Sequence, residues 1–113
     1  MPRHRCPAVY ILTNARNGTL YVGVTSDLGK RAWEHRNDLV DGFSKQFRLN
    51  LLVYYETHGT MIDAIRREKR LKRWKRIWKL ALIERQNAYW RDLTCEVIGQ
   101  GPRRDPGGAS RDS

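Results

Sequence analysis

The chain has 113 residues, with 22 Lys and Arg against 12 Asp and Glu, a formal net charge of +10 and a pI near 10.2. That length suits one domain rather than two full cores, and a composition 40% hydrophobic and 30% charged excludes wholesale disorder. No apolar run approaches the ~20 residues of a membrane span, and no signal-peptide segment follows the basic start Met1–Arg5, so a cytoplasmic protein with no membrane association is expected.

Residues 1–7 read as an N-terminal extension, 8–98 as the folded domain and 99–113 as a disordered tail with almost no apolar side chains. Residues 8–13 are apolar and partly β-branched, as a buried strand should be. Asn17-Gly18 predicts a tight hairpin turn, and Thr19–Thr25 the returning strand. Ser26 or Asp27 can cap a helix over Leu28–Arg36. Leu51–Glu56 reads as a third strand, and Thr60 caps a helix over Met61–Leu71. A further helix over Trp74–Arg85 carries Trp74, Ile77, Trp78, Ala81 and Leu82 at helical spacing, and Thr94–Ile98 reads as a short strand or extended segment. The plan is α+β, a small antiparallel sheet flanked by helices. Cys6 and Cys95 are too few for a disulfide framework and read as idle or buried thiols; His4 beside Cys6 falls short of a zinc site.

The positive charge is clustered. Residues 61–85 hold ten Lys and Arg against Asp63, Glu68 and Glu84, a net +7 of the total +10. Arg66, Arg67, Lys69, Arg70, Lys72, Arg73, Lys75 and Arg76 form a field that favours nucleic acid as partner. The bland alternative is a solvated helix face, though such faces usually mix signs. An anionic membrane surface is the third reading, weakened by Trp74 and Trp78, which read as core anchors.

Three features could carry chemistry. Tyr10 and Tyr21 lie on the hairpin strands, with Gly23 just after, and a strand glycine often permits close approach of a backbone or ligand. Arg31 and His35 are four apart and share a helix face beside an apolar stripe of Leu28, Ala32 and Leu39. A guanidinium there can grip a phosphate and an imidazole can orient or accept a proton. Glu68 lies on the apolar stripe of its own helix, with Ala64, Ile65 and Leu71, where a carboxylate needs a metal or an ion-pair partner such as Arg67, Arg31 or a nearby lysine. Each residue alone has a structural reading: packed strand aromatics, a satisfied histidine, an ion pair, and a turn cap for Asn87. Together, beside a basic surface, they suggest phosphodiester chemistry.

The sequence resembles the GIY-YIG nuclease superfamily, in particular small stand-alone bacterial proteins related to the nuclease domain of the bacterial excinuclease. The resemblance runs over about residues 8–93, through Val9-Tyr10-Ile11, Leu20-Tyr21-Val22-Gly23, Lys30-Arg31-Ala32-Trp33-Glu34-His35, Gly42-Phe43-Ser44, Leu52-Val53-Tyr54-Tyr55-Glu56, Ala64–Lys69, Leu82–Asn87 and Trp90–Leu93. It implies a metal-dependent endonuclease acting on DNA, in repair or recombination. By that analogy Tyr10 and Tyr21 line the site and one helps activate water, Arg31 binds the scissile phosphate, His35 orients or takes a proton, Glu68 holds one Mg²⁺ or Mn²⁺, and Asn87 supports. The first motif reads Ala8-Val9-Tyr10 rather than Gly-Ile-Tyr, and Val24 stands where the excinuclease branch has a lysine. With no added DNA-recognition domain, sequence-specific cutting is not expected. The competing readings are a non-catalytic nucleic-acid-binding module on the same fold and a nuclease that needs a protein partner.

Overall fold

Ala8–Thr13 is apolar but for its last residue, and every position in it is buried. A strand with no solvated face must be covered on both sides and belongs in the centre of a sheet. In the computed structural model, which describes residues 6–37 and 48–99, this strand (β1) lies between β2 (Leu20–Thr25) and β3 (Leu51–Thr57), both antiparallel to it. Among the described residues, four helices complete the α+β fold: α1 (Leu28–Arg36), α2 (Met61–Arg73), α3 (Arg76–Gln86) and α4 (Thr94–Gly99).

The alternation of β1 divides the core. Ala8, Tyr10 and Leu12 point to one face, where they meet Leu28 and Ala32 of α1, Leu93 and Val97. Val9 and Ile11 point to the other, where Ala64 and Leu71 of α2, Ile83 of α3 and Trp90 cover them. The register with β3 shifts between Ile11 and Leu12. That irregularity places the consecutive Val53 and Tyr54 in the same cluster, which a regular pleat would not do. Side-chain caps start the first two helices: Asp27 accepts from the Lys30 N–H at 3.2 Å, and Thr60 accepts from the Asp63 N–H at 3.1 Å.

Four sequence expectations change. The hairpin connection is the loop 14–19 rather than a two-residue turn, since Thr13 pairs with Leu20. Asn17 takes the left-handed conformation at φ 59°, and the Arg76 guanidinium donates to the carbonyls of Asn17 and Gly18, each at 2.7 Å. The second helix runs on to Arg73, and Trp74 and Lys75 are extended before α3 begins at Arg76. Ile77 and Trp78, expected at core spacing, are exposed. Ile83 is the residue of α3 that is buried, and Trp74 packs at the core margin. The extended segment expected over Thr94–Ile98 is helix α4. Asp92 Oδ1 accepts from the Thr94 N–H at 3.0 Å, and Val97 packs in the core of the α1 face. Leu39, the Gly42–Ser44 part of the resemblance, residues 1–5 and residues 100–113 lie outside the described residues. Both cysteines are free.

The outer edge of β3 is closed by residues 86–93. The Gln86 side-chain amide pairs with both backbone groups of Tyr55, at 3.1 and 2.8 Å. Asn87 Nδ2 donates to the Val53 carbonyl at 3.1 Å, and the Leu93 N–H donates to the Leu52 carbonyl at 2.7 Å. Asp92 Oδ1 accepts from the Leu52 N–H at 3.2 Å as well as from Thr94, while its other oxygen pairs with Arg36. These contacts satisfy donors that would otherwise invite edge-to-edge association. Asp92→Ala should therefore lower unfolding free energy by about 2–3 kcal/mol, and Asp92→Asn by less. Urea melts at neutral pH check this, and an unchanged midpoint for Asp92→Ala would refute it.

Candidate active site

The site starts from the pairing of Tyr10 with Gly23 across β1 and β2. A Cβ built at Gly23 would lie 2.5 Å from both Cζ and Oη of Tyr10. The strand glycine is thus required by the protein's own tyrosine, whose ring lies across the neighbouring strand. Leu28 and Ala32 anchor α1 on the same face, and the helical spacing from them turns His35 inward, to 5% exposure. Tyr10 Oη and His35 Nε2 come within 3.3 Å. The rings of Tyr10, Tyr21 and His35 form a triangle with centroid separations of 6.5, 5.8 and 6.4 Å.

Burial sets the charge states. It pushes the Tyr10 phenol up to about 12, and the nearby positive Arg31 only partly opposes the rise. Burial also pushes His35 down to about 4, and the neighbouring Arg31 charge adds to the effect. Both groups are neutral at pH 7. With the His35 proton on Nδ1, the Tyr10 hydroxyl donates to Nε2. Arg31 itself keeps a 39% exposed side chain, with Nε 3.4 Å from Glu34.

Glu68 is buried, at 8% exposure, in the row of α2 that holds Ala64 and Leu71. Of the partners open from the sequence, the structure selects a lysine: Lys72 Nζ is 2.6 Å from Glu68 Oε2. Helix α2 packs against β2 and β1, and the Glu68 charge contributes to raising Tyr10. Among the described residues, no group of three or more His, Cys, Asp or Glu side chains is placed to hold a metal. A lone buried carboxylate still fits a hard cation that keeps most of its waters and shares the substrate's oxygens.

Other sequence candidates sit elsewhere. Asn87 Nδ2 donates to the carbonyls of Val53 and Arg91, and its Oδ1 accepts from the Arg91 N–H, so it organises the turn after α3. Arg67 is half-buried and bonds Glu56 at 2.9 Å. Arg66, Lys69, Arg70, Lys72, Arg73, Lys75 and Arg76 are exposed. The cluster around Glu56, which accepts from Tyr54, from Arg67 and from His58 at 2.6 Å, was not anticipated. The i, i+2, i+4 spacing of Tyr54, Glu56 and His58 along a strand was the available signal.

The family model for the GIY-YIG catalytic domain matches residues 6–81. The chain belongs to the GIY-YIG family. It is similar to a UPF0213 protein of Staphylococcus epidermidis, 36% identical over 76 residues, covering 67% of this chain and 92% of the relative. A UPF0213 protein of Bacillus pumilus is 36% identical over 75 residues, covering 66% of this chain and 76% of that relative. Among solved structures, the solution NMR structure of a UPF0213 protein from Bacillus halodurans matches with a TM-score of 0.47 and 26% identity, over 79% of this chain and 94% of that one. Tyr10, Tyr21 and Gly23, on which the resemblance to that family rests, lie together on the paired strands β1 and β2.

Because folded His35 resists protonation, the unfolded chain binds the extra proton first. Stability should fall as pH drops below about 6.5 and level off, for this group, near 4. At pH 5 the loss from His35 is about 2 kcal/mol. Glu56, held below its ordinary value by its three hydrogen bonds, loses its contribution only at lower pH. His35→Gln should flatten the decline between pH 7 and 5 in urea titrations. An equal decline in the variant would remove His35 as its source.

Proposed function

We propose that this GIY-YIG domain is a divalent-metal-dependent endonuclease that hydrolyses nucleic-acid phosphodiesters, with DNA as the favoured substrate and repair or recombination as the setting. The observation that carries the reading is the convergence of the Tyr10, Tyr21 and His35 rings, with Arg31 close enough to act on the Tyr10 phenol. A module that only bound phosphate would have little use for Glu68 beside its own cations.

Exposure divides the roles. Arg31 is accessible and can grip a phosphate through parallel N–H donors. Tyr21 is partly exposed, whereas Tyr10 is 1% exposed, so Tyr21 is the phenol that meets the attacking water. Tyr10 stays protonated, fixes the His35 ring through its hydroxyl and so acts as a positioning residue. His35, held neutral by burial, accepts from Tyr10 and orients that phenol rather than taking a proton. Glu68 would hold Mg²⁺ or Mn²⁺, and such an ion supplies Lewis-acid stabilisation of charge on the phosphate oxygens. The exposed cations of α2 would track the backbone on either side of the cut.

The test is cleavage of labelled single strands, duplexes, flaps, forks and nicked DNA with Mg²⁺, Mn²⁺ or EDTA. Cutting should require metal. Glu68→Gln should lower it about 100-fold or more, and Tyr21→Phe by a similar factor, with far-UV circular dichroism unchanged. Tyr10→Phe should cost less, since its oxygen does not meet the water. A folded Glu68→Gln protein that cuts at the wild-type rate would sink the metal assignment. Salt-sensitive binding without cutting would favour a binding module or a partner-dependent enzyme.

A further inference from the structure

Trp78 has no part in the core, although its spacing placed it there. Its side chain is 53% exposed on the first turns of α3. It is nonetheless held: Trp74 meets it edge-on, with ring centroids 6.2 Å apart at 86°. Trp74 in turn lies under the Arg67 guanidinium, 5.2 Å from its centroid, and Arg67 is fixed by Glu56 of β3. A chain of contacts thus runs from the sheet through Glu56, Arg67 and Trp74 to an indole presented to solvent. The ring is thus exposed and yet held in place.

We propose that Trp78 is a stacking platform for an unpaired nucleobase, so that the preferred ligand of this face is nucleic acid with a single-stranded stretch. This rests on the nucleic-acid part of the proposed function and not on its catalytic part. The surroundings supply the complementarity. Arg73, Lys75 and Arg76 precede Trp78 and Lys79 follows it, with no acidic residue among them. Lys75 Nζ lies 5.7 Å from the Trp78 centroid, a loose approach that a base can replace while the ammonium moves to an adjacent phosphate. Along the same helical row stand the small, exposed Ala81 and then Arg85. Arg85 also borders a shallow recess of about 380 Å³ with Tyr54, Arg67, Leu82 and Gln86. Aromatic surface alternating with cations is the pattern that binds single strands, because every base offers a π-face and every linkage a charge. In a duplex those faces are closed by stacking, so an exposed indole gains little there. A second copy of this chain is disfavoured as occupant because it would bring another +10 charge against the same basic face.

Fluorescence anisotropy in EDTA, where no cutting occurs, tests the proposal with a short labelled single strand and a duplex of equal length. Trp78→Ala should weaken single-strand binding about 10-fold while leaving duplex binding and the salt slope as they were. Trp78→Phe should restore most of the loss. Arg70→Ala should weaken both ligands and lower the salt slope by about 1. The wild-type and Trp78 measurements need neither metal nor cutting, so a failure of the catalytic reading leaves this assay standing and the two readings fail separately. The proposal is overturned if Trp78→Ala leaves both ligands unaffected or weakens both equally, or if the wild-type chain binds no nucleic acid. It is also overturned if the substitution abolishes self-association in sedimentation, or binding to phosphatidylserine vesicles, with no strand preference lost.

Discussion

A tyrosine ring can lie flat over the neighbouring strand only where that strand has no side chain, and the Tyr10–Gly23 pair is where this protein meets that condition. A methyl group at residue 23 would occupy the position of the phenol itself, within 2.5 Å of Oη. Because the ring fits, its hydroxyl reaches His35 on α1, and because His35 is buried there, α1 is fixed in rotation about its axis. That rotation carries Arg31, one turn earlier, to the rim of the same site. Burial of β1 on both faces therefore does two jobs: it holds the sheet between two helical layers and sets the geometry of the candidate site.

The same burial dictates which groups can exchange protons. Desolvation moves Tyr10 and His35 in opposite directions, about 12 and about 4, so each is held in its neutral form across the ordinary pH range. A neutral donor beside a neutral acceptor needs no counter-ion, which lets both sit near the core without the cost of a buried charge. Of the neighbouring charges, Arg31 is partly solvated, and the buried Glu68 is paired with Lys72. Any cation bound at Glu68 must compete with that lysine, so metal affinity there should depend on salt and on the charge at residue 72.

Much of this was legible in the sequence. The three strands, the first two helices and their caps followed from apolar runs and from Asp27 and Thr60, because local chemistry and tertiary packing agree there. The grouping of Tyr10, Tyr21, Arg31 and His35 was legible too, since one hairpin and one helical turn bring them together. What escaped was decided by non-local contacts. Thr94–Gly99 is short and β-branched enough to read as extended, but Asp92, held by β3 and Arg36, caps it into a helix. The pattern Trp74, Ile77, Trp78 fits either face of α3. Ile83, not Ile77, wins the core because Trp74 and Lys75 are extended and reset the phase between the two helices. Asn87, expected as a supporting residue of the site, spends its hydrogen bonds on the loop that closes β3.

That break in phase is also what links the two ends of the molecule's chemistry. Arg67 and Glu68 are neighbours on α2, but they point to different places: Glu68 inward beside Ala64 and Leu71, Arg67 across to Glu56 and over Trp74. Had α2 continued unbroken, Trp78 would lie in the row of Ala64, Leu71 and Trp74, turned toward the sheet. The extended Trp74–Lys75 step instead turns the second indole out among the cations while the first stays at the core margin. One residue step, about 100° around the helix, thus separates the carboxylate proposed to hold metal from the arginine that braces the proposed base platform. If both proposals hold, cleavage should fall close to the junction between paired and unpaired nucleotides, since Trp78 engages the unpaired side while Arg31 and Glu68 engage the phosphate.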